Sequence, residues 1–342
     1  MQIALYAHTH GLGYREGEDN RTRSVPATSL QPAAVAVDAE AAGFHSMWFP
    51  DHVCMPLATG SAHVANTSGT RSYAPHHEML DAAVVMGAVA TVTSTLKLGT
   101  SVLISPYRGP LNDVRQFTTV DVLSEGRLLL GVGAGWVREE FEALGLEPGE
   151  RGARTVEAIE IYKRAWTERD VSFDGRHYQF SAVSMDPKPV QQPRPPIIYG
   201  GVSELGARRS ARHCDGFYPL FLDPYAEPGR YDAHQSLIRA ELDTLGRDPA
   251  TFTMMGAATV HLTTDDQAAG TEGRQRICTG SPDRILTDLA RFADAGYSMI
   301  VAKIVCPSGE VAELRDHIAR IGAEIIPAAR ELTPTGGWQP SL

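Results

Sequence analysis

Cysteine is scarce in this 342-residue sequence, and its four positions are scattered along the chain. Cys54, Cys214, Cys278 and Cys306 show no C-x-x-C spacing, the usual arrangement in cysteine-rich zinc sites and redox motifs. The scatter also disfavours a disulfide framework and fits a reducing compartment. We therefore predict a cytoplasmic protein without a cysteine-based metal site.

The sequence also lacks long apolar runs and an excess of positive charge. No apolar run approaches the ~18–20 residues that a membrane-spanning helix needs. The opening residues, MQIALYAHT, show no basic region followed by a signal-like apolar core. The formal net charge is -10, so neither nucleic acid nor an anionic membrane is an expected partner.

Short, nearly continuous apolar runs recur along the chain and are separated by amphipathic stretches. They predict strands at residues 3–8, 46–50, 96–104, 127–133, 196–200, 216–221, 253–262 and 299–305. Runs without alternation are typical of parallel strands that helices cover on both faces. Strands that alternate with about as many helical patterns predict an α/β fold, the (β/α)8 TIM barrel.

Two stretches interrupt this alternation, one after strand 2 and one before strand 5. Residues 54–79 are polar and rich in turn residues, and long loops inside a compact domain are commonly functional, so we interpret them as a lid-like insertion. Residues 170–195 are expected to form a hairpin and a Pro-rich connector. Residues 1–332 are thus predicted to form a single domain, with 333–342 as a tail.

Asp51 and His52 come directly after the second strand. The C-terminal strand ends of a (β/α)8 barrel carry the active site, so both side chains are expected at its mouth. Histidine carries protons near neutral pH, and a neighbouring carboxylate can orient it. The sequence therefore favours a catalytic His52 beside Asp51. The alternative is an aspartate that caps the turn, next to a solvated histidine.

His8 and His10 follow the first strand in the H-x-H pattern of metal-dependent barrel hydrolases. Such a site needs further ligands from later strand ends. The segments RLLLGVGAGW and PIIYGG supply none. We therefore predict no metal site, and we expect His8 to line a pocket and His10 to lie on the surface of a loop.

A glycine-rich turn, GVGAGW at residues 131–136, follows the fourth strand. It does not complete a G-x-G-x-x-G dinucleotide fingerprint, because Trp136 stands at the place of the third glycine. Ala134 and Gly135 would instead let a flat group lie close against the barrel mouth. Close packing of helix against strand is the alternative.

A second glycine-rich turn, YGGVSELG at residues 199–206, is a candidate phosphate site. Gly200 and Gly201 leave the strand, Ser203 is a candidate N-cap, and the helix start presents free N–H groups. Arg108 is a second candidate for the same phosphate, with a surface ion pair as the alternative. The helix continues with arginines that we expect on its solvated face, namely Arg208, Arg209 and Arg212.

Four stretches resemble the luciferase-like monooxygenase superfamily, and most closely its coenzyme F420-dependent oxidoreductase branch. They are AEAAGFHSMWFPDHV, LGTSVLISPYRGP, LSEGRLLLGVGAGWVREEFEALG and PPIIYGGVSELGARRSARHCDGF. The resemblance covers nearly the whole chain. It implies a (β/α)8 barrel that holds a flavin or 5-deazaflavin at its mouth.

The resemblance also implies roles for residues. Asp51-His52 looks like the S-D-H motif of F420 enzymes, in several of which the histidine is catalytic and the aspartate contacts the ring. Flavin-using relatives more often have Glu-His-His here. Ser101-Val102 matches a non-prolyl cis peptide that supports the ring. With the candidates above, the predicted cofactor-binding residues are His8, Ser101, Val102, Arg108, Ala134, Gly135, Gly200, Gly201, Val202 and Ser203.

One departure from the family concerns the substrate. F420-dependent sugar-phosphate dehydrogenases carry a glutamate where this chain has Trp136, which disfavours that reaction and suggests a more apolar pocket. We expect an oxidoreductase that moves a hydride between F420 and a small organic substrate, as a homodimer. One alternative is an FMNH2-dependent two-component monooxygenase, which uses oxygen and the reduced FMN that a separate reductase supplies. A second is a non-catalytic deazaflavin- or flavin-binding protein.

Overall fold

A computed structural model describes residues 1–16, 19–61, 73–74, 76–264, 277–338 and 342. Within these residues, eight parallel strands form a closed barrel. They are β1 (Gln2–Tyr6), β2 (Ser46–Phe49), β3 (Lys97–Thr100), β4 (Leu128–Gly133), β5 (Ile197–Gly200), β6 (Gly216–Tyr218), β7 (Thr253–Leu262) and β8 (Met299–Ile304). Each strand pairs with the next, and β8 pairs with β1 to close the ring. The predicted (β/α)8 barrel is confirmed.

Helices follow the strands in turn. They are α1 (Pro32–Ala41), α2 (Ala82–Ala90), α3 (Pro110–Leu123), α4 (Arg151–Thr167), α5 (Glu204–His213), α6 (Pro228–Thr244), α7 (Pro282–Asp294) and α8 (Val311–Glu324). The N-caps of α2, α5 and α7 are Asp81, Ser203 and Ser281, and each side chain accepts an amide N–H of the first turn. A short helix, Arg138–Ala143, precedes α4. No described helix is both long and apolar enough to span a membrane.

Successive side chains of each strand point alternately into the barrel and toward the helices. Tyr6, Trp48 and Tyr218 belong to the inner cluster, which fills the barrel. Gly99 on β3 makes room for the indole, since a Cβ there would lie 2.5 Å from the Trp48 ring. The interior is therefore a packed core, and a ligand has access only to the mouth.

One insertion follows β2 and the other precedes β5, as predicted. Residues 62–72 and 75 of the expected lid lie outside the described residues. Strands Asp170–Asp174 and Gln179–Ser184 pair antiparallel. The connector that follows is held by the buried Asp121, which accepts hydrogen bonds from the Val190 and Gln191 amides.

Two features near the mouth differ from the strand predictions. The run at 96–104 is not one strand, because β3 ends at Thr100 and pairing resumes at Leu103–Ile104, after the cis peptide Ser101–Val102. An antiparallel hairpin, Leu12–Glu16 with Asp19–Arg23, follows β1 and has no counterpart in the predicted strands. Its Gly13 bonds to Cys306 and lies against the end of β8.

Alanine at Gly131 is expected to destabilise the barrel, because its Cβ would overlap the carbonyl oxygen of Thr100 on β3. Overpacking of this kind costs about 1–3 kcal/mol of unfolding free energy. Gly87→Ala on α2 is the control: its Cβ would meet nothing within 4 Å, and helix propensity favours alanine by up to about 1 kcal/mol. Urea denaturation of both variants checks this. Equal stability of the two would contradict the packing argument.

Candidate active site at the barrel mouth

The C-terminal ends of β1 to β6 surround a cavity of about 520 Å³, a volume within the range of small-molecule sites. Most of the predicted site residues line it, namely Asp51, His52, Ser101, Val102, Ala134, Gly135, Gly200, Gly201, Val202 and Ser203. Neither His8 nor Arg108 is among the described residues that line it. Most of the candidate residues predicted from the sequence therefore lie together around one cavity.

The carboxylate that holds His52 is Glu140, not the adjacent Asp51. Nδ1 of His52 lies 2.8 Å from Oε2 of Glu140, which the short helix Arg138–Ala143 carries. With Nδ1 bonded to the carboxylate, Nε2 is the ring nitrogen left for a ligand. The orienting partner of the histidine thus comes from the segment after β4, and the sequence analysis missed it.

Glu140 is fully buried, yet both of its carboxylate oxygens accept hydrogen bonds. Besides His52, it accepts hydrogen bonds from the Tyr107 hydroxyl at 2.9 Å and from the amides of Val53 and Cys54 at 2.8 and 3.1 Å. Burial alone would raise the pKa of Glu140, but the bonds from His52 and the two amides hold that pKa below its ordinary value. The carboxylate is therefore ionised at neutral pH.

The neighbouring Glu139 fastens the start of the lid-like insertion. It accepts hydrogen bonds from the Thr59 hydroxyl at 2.8 Å, the Gly60 amide at 2.7 Å and the Ser61 hydroxyl at 2.9 Å. Glu139 and Glu140 together tie residues 53–61 to the segment after β4. The two glutamates of one short helix thus set the position of the insertion where it leaves the barrel.

Asp51 forms a bidentate ion pair with Arg108, at 2.8 and 2.7 Å, and accepts the Ile104 amide at 3.0 Å. Burial alone would lower the pKa of Arg108, but the bonds to Asp51 outweigh burial and raise it. Arg108 was a candidate for a phosphate. In the structure its charge is instead paired at the strand ends, close to Asp81 as well.

The middle of the cavity wall is smooth because two glycines pack on one valine. The Ser101–Val102 peptide is cis, as the resemblance implies. The Val102 side chain packs over the paired strands β4 and β5. A Cβ at Gly133 would lie 2.5 Å from one of its methyl groups, and a Cβ at Gly200 would lie 2.6 Å from the other. Only glycine fits at these two positions, so the wall presents backbone and one aliphatic side chain to a ligand.

Helix N-termini and arginines form one end of the cavity. Residues at the start of α4, including Arg151 and Gly152, line it together with Gly201 to Ser203 at the start of α5. Ser203 caps α5 by accepting the Gly206 amide at 3.1 Å. Unpaired amides at helix starts and guanidinium groups both favour an anion.

Arg209 corrects the expectation of a solvated arginine face on α5. Arg208 and Arg212 do turn outward and pair with Glu241, at 2.9 and 2.7 Å. Arg209 instead lines the cavity, where it lies against Gly152 and beside the Tyr199 hydroxyl. This end of the cavity therefore has two arginines that sequence reasoning did not assign to it.

The opposite wall is aromatic. Tyr6, Tyr73 and Trp136 line it around His52, with ring centroids of Tyr73 and Trp136 at 5.4 and 6.2 Å from the imidazole. In an eight-stranded ring, β1, which carries Tyr6, lies across from β5. Tyr6 and the start of α5, the helix that carries Arg209, thus lie on opposite sides of the mouth.

His8 and His10 both differ from their predicted places. His8 is buried behind the wall, its Nε2 lies 3.1 Å from the Ile304 carbonyl, and burial lowers the pKa of His8 to about 4. His10 is only 1% exposed, not on a loop surface, because its ring packs against His52 and Tyr73. No group of three or more potential metal ligands that could hold an ion occurs among the described residues.

The chain is similar to known oxidoreductases. Residues 17–296 match the family model of the luciferase-like monooxygenases. An uncharacterized protein of Mycobacterium tuberculosis is 29% identical over 280 residues, 81% of this chain and 95% of that protein. The FMNH2-dependent dimethylsulfone monooxygenase of Pseudomonas putida is 34% identical over 134 residues, 38% of this chain and 37% of that enzyme.

A solved structure shares the fold. It is an F420-dependent secondary alcohol dehydrogenase in complex with an F420-acetone adduct. The TM-score is 0.74 at 18% identity, and the match covers 96% of this chain and 99% of the other. At this identity the similarity concerns the arrangement of strands and helices.

Glu140→Gln is expected to lower the unfolding free energy by about 1–3 kcal/mol at pH 7, because it weakens bonds to a buried carboxylate. The ordinary, unfolded pKa of Glu140 lies above its folded pKa. The contribution of these hydrogen bonds to the free energy of unfolding is therefore complete above the unfolded pKa, and it is lost as the pH falls through the folded pKa. Urea denaturation should therefore show a smaller difference in unfolding free energy between variant and wild type at acid pH than at pH 7.

Glu142→Gln is the matched control, since Glu142 on the same helix pairs with Arg138 at the exposed surface. Its effect should stay within about 0.5 kcal/mol at either pH. A Glu140→Gln difference of the same size at both pH values would contradict an ionised, bond-accepting Glu140.

Proposed function

The chain belongs to the luciferase-like monooxygenase family, and we propose that it is an oxidoreductase that transfers a hydride between coenzyme F420 and a small organic substrate. One observation carries the proposal: a single cavity joins an arginine end, a glycine-lined wall and the His52–Glu140 pair. A deazaflavin enzyme must accommodate the flat ring and the negatively charged tail of its cofactor, and it must supply a proton carrier.

The cavity suits a flavin-type cofactor in shape and in charge. Val102, Gly133 and Gly200 would lie against the flat ring, since the two glycines add no side chain to the wall beside the Val102 methyl groups. Arg151 and Arg209, with the amides at the start of α5, would hold the phosphate. The acidic net charge is no obstacle, because these contacts are local.

His52 would exchange the proton that accompanies hydride transfer. The bound deazaflavin supplies the hydride chemistry, and the protein supplies orientation and electrostatics. Glu140 holds Nδ1 of His52 and fixes the ring, so Nε2 gives or takes a proton at the substrate. Asp51, paired with Arg108, keeps the preceding turn rigid rather than reacting itself.

The choice of F420 over FMN is supported by the Asp51-His52 motif, which resembles the corresponding motif of F420 enzymes. The second candidate is a two-component monooxygenase that uses FMNH2 and a separate reductase. The 34% identity to the dimethylsulfone monooxygenase favours it. Oxygen consumption coupled to a hydroxylated product would support the second candidate, whereas anaerobic hydride transfer to or from F420 would support the first.

Titration with F420 and with FMN, each alone, tests the cofactor. We expect F420 to bind more tightly, and Arg209→Gln to weaken it about 10- to 100-fold, as for a lost charge-assisted bond of about 1.5–3 kcal/mol. Arg208→Gln, one residue away and paired with Glu241, should change the affinity less than twofold. Tighter binding of FMN would reject the F420 assignment, and equal effects of the two variants would reject the phosphate end.

His52→Gln should reduce turnover about 10²- to 10⁴-fold, the usual contribution of a general acid or base. Its affinity for the cofactor, measured by the same titration, should stay within about threefold of wild type. Unchanged turnover would remove His52 from the mechanism. Tight binding of cofactor by a wild-type protein that turns over no substrate would favour a non-catalytic cofactor-binding protein.

A further inference from the structure

Two tyrosine hydroxyls meet on the aromatic wall, in the part of the cavity that the proposed function leaves to the substrate. Tyr6 ends β1, and Tyr73 comes from the lid-like insertion. Both rings line the cavity, and their hydroxyls lie close enough for each to shift the pKa of the other. If one hydroxyl bonds to the other, the pair still has one O–H to donate to a ligand.

Both tyrosines are donors at physiological pH. Burial raises the pKa of Tyr6 and of Tyr73, so neither becomes a phenolate near neutrality. Tyr73 also packs edge-on against His52, with 5.4 Å between the ring centroids. The tyrosine pair and the proposed proton carrier therefore serve the same region of the cavity.

The layer behind the tyrosines is polar and incompletely bonded. His10 packs against Tyr73 and His52, at 5.8 and 5.9 Å between centroids. Neither of its ring nitrogens has a hydrogen-bond partner in the described part of the chain, although the Leu80 backbone approaches. Buried polar atoms without partners call for an explanation in a native fold.

Lys303 gives this layer its charge. It points inward from β8, is 8% exposed, and its Nζ lies 5.6 Å from the centre of the Tyr6 ring. It donates to the Thr22 hydroxyl at 2.9 Å, and no described carboxylate lies within ion-pair distance of it. Burial lowers the pKa of Lys303 to about 8, so the ammonium form prevails at pH 7.

The charges around the cavity exclude most ionic substrates from this wall. Lys303 lies behind Tyr6 and repels a cationic group, and the Glu140 carboxylate lies behind His52 and repels an anionic one. The negative charge of Asp51 is neutralised by Arg108. Arg151 at the start of α4 and Arg209 on α5 line the cavity. A neutral group with a partial negative charge is the ligand that this wall suits.

We propose that the Tyr6–Tyr73 pair donates a hydrogen bond to one oxygen of a neutral substrate, of the ketone, aldehyde or alcohol class, beside Nε2 of His52. The proposal rests on the proposed function only in leaving the rest of the cavity to the cofactor. The apolar body of the substrate packs on Trp136, whose ring meets His52 at 6.2 Å.

Competition among three probes tests the subsite on cofactor-loaded protein. Cyclohexanone offers the oxygen, methylenecyclohexane has the same shape without it, and cyclohexanecarboxylate adds a charge. Dissociation constants come from ligand-observed NMR. We expect cyclohexanone to bind about 2- to 10-fold more tightly than methylenecyclohexane, as one hydrogen bond allows, and the carboxylate to bind most weakly.

Tyr73→Phe should remove the preference for cyclohexanone and leave the affinity for methylenecyclohexane within twofold. Tyr6→Phe is the second variant, should the first disturb the insertion, and a melting curve checks both. Tyr225→Phe is the matched control, because that hydroxyl bonds to the Arg291 carbonyl and the ring does not line the cavity. Equal affinities for ketone and hydrocarbon, tighter binding of the carboxylate, or an unchanged preference in both variants would overturn the proposal.

The binding readout needs no turnover, so it separates this proposal from the proposed function. If FMN binds and F420 does not, the competition is run on FMN-loaded protein, and a preserved ketone preference keeps the subsite while the F420 assignment falls. If F420 binds and hydride transfer occurs but the ketone preference is absent, only the subsite falls.

Discussion

The bonds to the buried Glu140 carboxylate are the interaction on which the rest of the site depends. A buried charge is costly unless hydrogen bonds satisfy it, and here four donors do so. These donors come from the segments after β2 and β3, whereas Glu140 itself follows β4. One side chain thus joins the segments that follow three neighbouring strands of the barrel, and it also fixes the position of His52.

Adjacent residues have separate partners in this design. Asp51 is held by Arg108 and the Ile104 amide, and His52 is held by Glu140. The aspartate can therefore serve as structural support while the imidazole keeps a free nitrogen toward the cavity. A sequence shows the two side by side, but their neighbours in space decide which of them is available to a ligand.

Local pattern was enough to predict the barrel and the placement of most candidate residues. Apolar runs locate the strands, and residues that follow a strand must reach the mouth, as Asp51 and Gly201 do. Glu140 could not be found in this way, because its partner His52 lies 88 residues away and the helix that carries it looks like a charged surface helix. Helical spacing likewise cannot say which arginine of α5 faces inward.

Cover by polar and aromatic segments explains a different error. His10 was expected on a loop surface because the polar stretch between β1 and α1 shows no apolar alternation. His10 is instead buried against His52 and against Tyr73 of the insertion, and the hairpin Leu12–Glu16 with Asp19–Arg23 lies over Lys303. A cover made of polar residues leaves no hydrophobic pattern, so burial beneath it can only be seen in three dimensions.

The contact of Val102 with Gly133 and Gly200 has a consequence for how this family can diversify. The three residues come from separate segments of the chain, yet each occupies space that the other two leave free. Residues that share a packing site have non-additive effects on stability. A larger residue at one position of the wall that would face the cofactor ring therefore becomes tolerable only together with a smaller residue at another, so the three positions can change only as a set.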